Sequence, residues 1–233
     1  MPNLKQLKSE LNKLADPKQS AILSGFFKTG KGEYGEGDIF LGIKVPVQRA
    51  VARRYENLSL AGLQELLNNK IHEYRLIALI ILLFQYKKAD SVGKEKIVKF
   101  YLRNTKNINN WDLVDLSCHY ILGDYLLDKP RKILYKLAGS KNLWEKRISV
   151  ISTFAFIKNK EFGDTLKICE VLLNDKHDLI HKATGWMLRE AGKRDEAVLT
   201  RFLAKHYKTM PRTMLRYAIE KLNNKKRKFY LGK

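Results

Sequence analysis

Leu4, Leu7, Leu11 and Leu14 recur at three- and four-residue intervals, which lines them along one face of a helix. Asp16 followed by Pro17 supplies an N-cap and a first-turn proline, so a second helix opens there and runs to about Phe27. The stretch TGKGEYGEGDIFLGIKVP then breaks the pattern, its Gly30, Gly32, Gly35, Gly37 and Gly42 marking the one long loop, residues 28–45. From Pro46 onward, apolar positions return at helical spacing. They predict helices over 47–56, 60–68, 72–87, 91–104, 110–127, 131–138, 142–158, 162–174, 177–192, 195–206 and 211–223. No segment alternates at a period of two, so the fold class is all-α.

The helices also repeat. Arg75, Asp115, Arg147, His181 and Arg216 each stand near the first turn of a predicted helix, at separations of 40, 32, 34 and 35 residues. That period matches helix-pair repeats, in which each unit buries its apolar face only against its neighbours. The expected architecture is a helix-pair solenoid of the tetratricopeptide, HEAT or armadillo kind, a single domain over residues 1–224. The five aligned residues would then line a continuous concave face, and residues 225–233 would form a basic C-terminal tail.

Charge narrows the choice of partner. Lys and Arg number 45 against 24 Asp and Glu, a net charge of +21. An excess of that size points to a polyanion, either nucleic acid or an anionic membrane surface, beside the plainer alternative of a solvated basic exterior. The longest apolar run, Leu76–Phe84, falls well short of the ~20 residues that span a bilayer. The N-terminal MPNLKQLKSELNKLA lacks the features of a secretory signal, so an intracellular, cytoplasmic protein without a membrane partner is expected. Cys118 and Cys169 read as reduced, buried thiols. His72, His119, His177, His181 and His206 form no metal-binding motif, and GKGEYGEG lacks the Lys-Ser/Thr of a phosphate-binding loop. The reading requires neither a metal nor a cofactor.

Some polar side chains fall where apolar ones belong. In NLWEKRISVISTFAFIK, Arg147 projects into the middle of a stripe made by Leu143, Trp144, Ile148, Ile151, Phe154 and Ala155. Either it is a structural arginine that pairs with or caps a neighbouring helix, or it meets a phosphate at the inner edge of the solenoid. In NNWDLVDLSCHYI, Asn110 is an N-cap, and Trp111 and Asp115 share a face one turn apart. Asp115 is either one rung of an inter-repeat ion pair or a functional anion beside an aromatic ring. In HDLIHKATGWMLREAGK, Trp186 lies at the edge of the apolar stripe next to Lys182 and Arg189. That is a nucleic-acid contact or a rim residue with its apolar body covered.

Together, FFKTGKGEYGEGDIFLGIKVPVQR, NNWDLVD, LWEKRIS and KATGWMLRE resemble the AlkD family of DNA glycosylases, over nearly the whole chain from the second helix to the last. The resemblance implies a right-handed superhelical solenoid of HEAT-like repeats and hydrolysis of the N-glycosidic bond of cationic N3- and N7-alkylated purines, 3-methyladenine and 7-methylguanine, in double-stranded DNA. It further implies that Asp115, Trp111 and Trp186 meet the deoxyribose of the lesion and that Arg147 holds a phosphate. Phe26 and Phe27 fall where relatives carry an aromatic. Arg75, Arg147, Lys182, Arg189 and Arg216 are the bases expected on the DNA face. Relatives that bind branched or damaged DNA without cleaving it lack the aspartate or the tryptophans. This chain keeps all four residues, which favours the enzyme over the binder.

Overall fold

Helix starts are set by local capping chemistry. In the computed structural model, which describes residues 3–232, the Asn3 side chain accepts from Gln6 N–H while the Gln6 side chain returns to Asn3 N–H. Asp16 caps the next helix by accepting from the N–H groups of Lys18 and Gln19, with Pro17 in the first turn. The chain divides into two compact units, Met1–Ser117 and Cys118–Lys233.

The first unit contains α1 (Leu4–Lys13), α2 (Pro17–Phe26), α3 (Val45–Arg54), α4 (Leu60–Leu67), α5 (His72–Lys88), α6 (Ser91–Arg103), a 3-10 turn (Thr105–Asn107) and α7 (Trp111–Cys118), whose last residue belongs to the second unit. Its core is α5, packed against α3, α4 and α6. Every residue from His72 to Leu83 is buried, as expected of a helix apolar on all sides. Each buried Leu or Ile on it contributes about 1.5–3 kcal/mol relative to exposure.

The loop between α2 and α3 is ordered by its own far end. Ile39 pairs with Ile71 in an isolated parallel bridge, with Ile39 N–H donating to Lys70 and His72 N–H to Ile39. The buried Glu73 carboxylate accepts from the N–H groups of Leu41 (2.9 Å), Gly42 (2.8 Å) and Ile43 (3.3 Å). Gly42 adopts φ +86°, and a Cβ there would stand 2.2 Å from the carbonyl oxygen of Asp16. Only glycine lets this strand of backbone lie against the start of α2.

The second unit opens with a π turn (His119–Gly123), followed by α8 (Lys132–Ala138), α9 (Leu143–Ser152), α10 (Phe154–Lys158), α11 (Gly163–Val171), α12 (Asp178–Arg194), α13 (Glu196–His206), α14 (Arg212–Ala218) and α15 (Asn224–Leu231). Helix α12 is its centre and packs on α9, α10, α11, α13 and α14. Two predicted helices are interrupted. The 142–158 segment breaks at Thr153, whose hydroxyl donates to the Val150 carbonyl, and the 110–127 segment widens into the π turn. The two interruptions meet, because a Cβ at Gly123 would be 2.3 Å from the Ser152 carbonyl. The segment expected as a tail is α15, capped by Asn223, with Tyr230 buried.

Arg75, Asp115, Arg147, His181 and Arg216 occupy the fourth or fifth position of α5, α7, α9, α12 and α14. Among the described residues there is no β-strand, and no helix is long and apolar enough to cross a membrane.

Candidate functional site

Helix α7 begins on a buried cap. Asn110 is fully buried, its side-chain oxygen accepts from Trp111 N–H at 2.8 Å, and its carbonyl accepts from Val114. This start carries Trp111, half-buried, and one turn later Asp115, also partly exposed. Residues four apart on a helix lie side by side, so the indole and the carboxylate share one face of α7.

The Trp111 ring is held by an aromatic stack. It lies on Phe27 at 5.1 Å between centroids and 20° from parallel, and Phe27 in turn lies on Phe40 at 5.0 Å and 17°. Phe40 stacks on His72 at 4.5 Å and 22°. Phe26, largely exposed, meets the Trp111 ring edge-on at 5.9 Å. Of the two phenylalanines that the resemblance left open, Phe27 supports the tryptophan from beneath and Phe26 flanks it at the surface.

Below the stack lies a buried charge network. His72, 2% exposed, places Nδ1 3.2 Å from Asp38 Oδ2 and Nε2 2.8 Å from Asp112 Oδ2. Arg75 pairs with the same Asp38 oxygen at 2.7 Å and donates to the Asn69 carbonyl. Asn110 Nδ2 also approaches Asp38. Burial works against a charge on His72. The Asp112 carboxylate, by its charge and its hydrogen bond, outweighs it with help from Asp38 and pushes the His72 pKa up to about 9 despite Arg75. Asp38 is likewise opposed by burial, but its bond to His72 and the charges of Arg75 and His72 hold its pKa below the usual carboxylate value.

A cavity of about 80 Å³ adjoins this network, lined by residues including Leu23, Phe27, Phe40, Gln48, His72 and Asp112. Gln48 donates to the Ile43 carbonyl, while its buried Oε1 has no protein partner. The space suits two or so waters, each taking about 30 Å³, and is too small for a purine.

The second unit holds the other two sequence-predicted site residues. Arg147 is 5% exposed, and its Nη1 donates to the Leu179 carbonyl at 2.7 Å, tying α9 to the first turn of α12. This is the structural bond that the sequence left open as one reading. Trp186 on α12 is half-buried, 5.9 Å from Phe154 with the rings tilted by 46°. Lys158 and Arg194 stand over Phe154 at 4.6 and 5.5 Å, giving this part of the surface a positive charge backed by aromatics.

The bases expected on the DNA face divide. Arg216 is exposed and Lys182 partly so, the latter paired with Asp178 on the preceding turn. Arg189 pairs with Glu220 and also lies near Glu190. Arg75 needs correction, because at 4% exposure it is engaged with Asp38 and Asn69 and presents no accessible guanidinium. It sits on α5, which is buried on every side, so a polar residue in its first turns faces the interior whichever way it projects.

The Asp38–His72–Asp112 network escaped the sequence reading, since its members lie 34 and 40 residues apart. One signal was present. His72 and Asp112 have the same 40-residue separation as Arg75 and Asp115, and each stands at the start of its helix, α5 or α7. Among the described residues, no group of three or more His, Cys, Asp or Glu stands close enough to hold a metal ion.

A family model described as "DNA alkylation repair enzyme" matches residues 7–222. Among curated proteins no sequence matches. Among solved structures, the chain is similar to a predicted DNA alkylation repair enzyme from Enterococcus faecalis, with a TM-score of 0.67 and 16% sequence identity over 90% of this chain and 97% of that one. At that identity the likeness speaks for the fold alone.

Proposed function

The chain belongs to the DNA alkylation repair enzyme family, and on that premise we propose that it is a DNA glycosylase that removes cationic N3- and N7-alkylated purines from duplex DNA. Membership supports an enzyme acting on alkylated DNA. The finer reading rests on one observation, the partly exposed Trp111 fixed on Phe27 with Asp115 one turn further along α7.

Alkylation at N3 or N7 gives the purine a positive charge, so it departs as a neutral base while the deoxyribose takes on oxocarbenium character. Such a leaving group needs little acid catalysis. The protein's task is to stabilise positive charge on the sugar and to orient water. Asp115 supplies the negative charge, and Trp111 beside it offers an electron-rich ring face to the sugar, the role that the resemblance also gives Trp186. Arg147, buried and bonded to the Leu179 carbonyl, holds the start of α12 in place, and the exposed Arg216, with Lys182 and Arg189, provides the basic surface for backbone phosphates.

The test is base release from duplexes carrying 7-methylguanine, 3-methyladenine, uracil or hypoxanthine, read as alkali-labile strand breaks over time. The two cationic bases are released and the two neutral ones stay. Release of uracil or hypoxanthine at a comparable rate overturns the mechanism. Tight binding to damaged or branched duplexes with no release of any base makes the protein a DNA-structure binder instead.

A further inference from the structure

Asp38, His72 and Asp112 come from three separate segments: the far end of the glycine-rich loop, the first residue of α5 and the second residue of α7. A neutral imidazole carries one N–H and one lone pair, so it can donate to only one of two carboxylates. With both ring nitrogens of His72 facing carboxylate oxygens, the arrangement is satisfied only by the imidazolium. The ring also closes the aromatic stack, His72 on Phe40, Phe40 on Phe27, Phe27 on Trp111. Asp112 is the immediate neighbour of Trp111 on α7. The same side chain therefore grips the helix that bears the tryptophan and supports the rings on which it lies.

We propose that His72 is a positioning residue of the Trp111 site, an imidazolium cross-tie that joins the loop end at Asp38 to α7 at Asp112 and so fixes the indole on Phe27. The consequence for catalysis rests on the glycosylase reading, whereas the tie itself does not. The charged groups around the ring fit the role. Arg75, from the next turn of α5, neutralises Asp38 and leaves the imidazolium shared with Asp112. Glu73 is occupied by the N–H groups of residues 41–43 and does not compete for His72. Lys44 lines the neighbouring cavity. Loss of the proton sets a lone pair against one of the two carboxylates, and the contact to α7 or to the loop must open. The raised pKa of His72 puts that change near pH 9.

The experiment combines a resonance with an activity. In the ¹⁵N-labelled full chain, the Trp111 indole signal, assigned with Trp111→Phe, is followed from about pH 6 to about pH 10. The signal should move with a midpoint near 9, and His72→Asn should abolish the transition. On a 7-methylguanine duplex in single turnover, His72→Asn should lower excision at least about tenfold, as misplacement of a contact group does. Affinity for an uncleavable abasic-analogue duplex should stay within about threefold, since no DNA contact is removed. His72→Gln, whose amide reaches toward Asp112, should recover part of the rate. A Trp111 signal that does not titrate, or excision by His72→Asn within about twofold of the parent, overturns the proposal. If the parent itself releases no base, the glycosylase reading fails and the resonance alone decides the tie.

Discussion

Phe27 lies face to face with Trp111, 5.1 Å between ring centroids and 20° from parallel. Phe27 is buried whereas Trp111 is partly exposed, so the pair has an inner member that sets position and an outer member that reaches the surface. Phe27→Ala should cost about 3–5 kcal/mol of stability, the usual effect of deleting a buried aromatic. It should also loosen Trp111, whereas Phe27→Leu should retain most of the stability but less of the excision rate. Urea denaturation and single-turnover excision of 7-methylguanine, measured on both variants, check this. Equal excision by Phe27→Leu and the parent would mean that Trp111 needs no aromatic beneath it.

Asp115→Asn separates binding from chemistry. A carboxylate that acts when charge develops on the sugar is needed in the transition state more than in the ground state. Excision should fall by at least about 10²-fold while duplex affinity stays within about tenfold. Fluorescence anisotropy alongside single-turnover kinetics measures both. Equal losses in the two would assign Asp115 to binding or folding.

Stability should depend on pH through His72 and Asp38, with opposite signs. The His72 pKa is raised from 6.5 to about 9 in the folded chain, so its contribution is complete below about pH 6.5 and is lost as the pH rises through 9. It amounts to about 3 kcal/mol at most. The Asp38 pKa is lowered from 3.8, so its contribution is present above that value and is lost as the pH falls through the folded pKa. The urea midpoint should decline between about pH 6.5 and about pH 9 in the parent. In His72→Asn that decline should be much shallower, and an equally steep one would assign it to other groups.

Arg147→Ala should weaken duplex binding and excision together, as expected of a side chain that positions the backbone. The bond from Arg147 to the Leu179 carbonyl adds a structural cost of about 1.5–3 kcal/mol, the range for hydrogen bonds to charged groups. Arg147→Lys retains the charge without the planar fork, so it should restore stability more than binding. Helical circular dichroism and thermal melting, read beside affinity, separate the two roles. Unchanged affinity in a destabilised Arg147→Ala would make the residue structural only.

Most helices were legible because their apolar spacing is strong, and the predicted 72–87 and 91–104 correspond to His72–Lys88 and Ser91–Arg103. Trp111 and Asp115 were legible as neighbours on one helix face because that relation is local. Arg75 was misread because helical projection reports direction and not depth, and α5 is enclosed on all sides. The C-terminal charge run looked like a tail because what anchors it is distant in sequence: Phe229 and Tyr230 meet Tyr207, Lys226 pairs with Glu196, and the Leu231 carbonyl accepts from Arg212. The support beneath Trp111 comes from Phe27, Phe40 and His72, brought together by a loop whose path depends on Gly42 and Glu73. No periodicity encodes such a meeting.

The fastening of that loop leaves one stretch of chain that closes on itself. Phe27 anchors it on one side, the Ile39–Ile71 bridge and the Glu73 carboxylate anchor it on the other, and Gly35 N–H bonded to the Lys28 carbonyl closes its neck. Residues 30–34 therefore form an excursion beyond a neck that is closed without their help. Doubling the length of a closed excursion costs only about 0.6 kcal/mol in chain entropy. An epitope or a fluorophore-bearing insert placed there would hang from the rim of the Trp111 site and report on a docked duplex, while the indole stayed where the rings beneath it hold it.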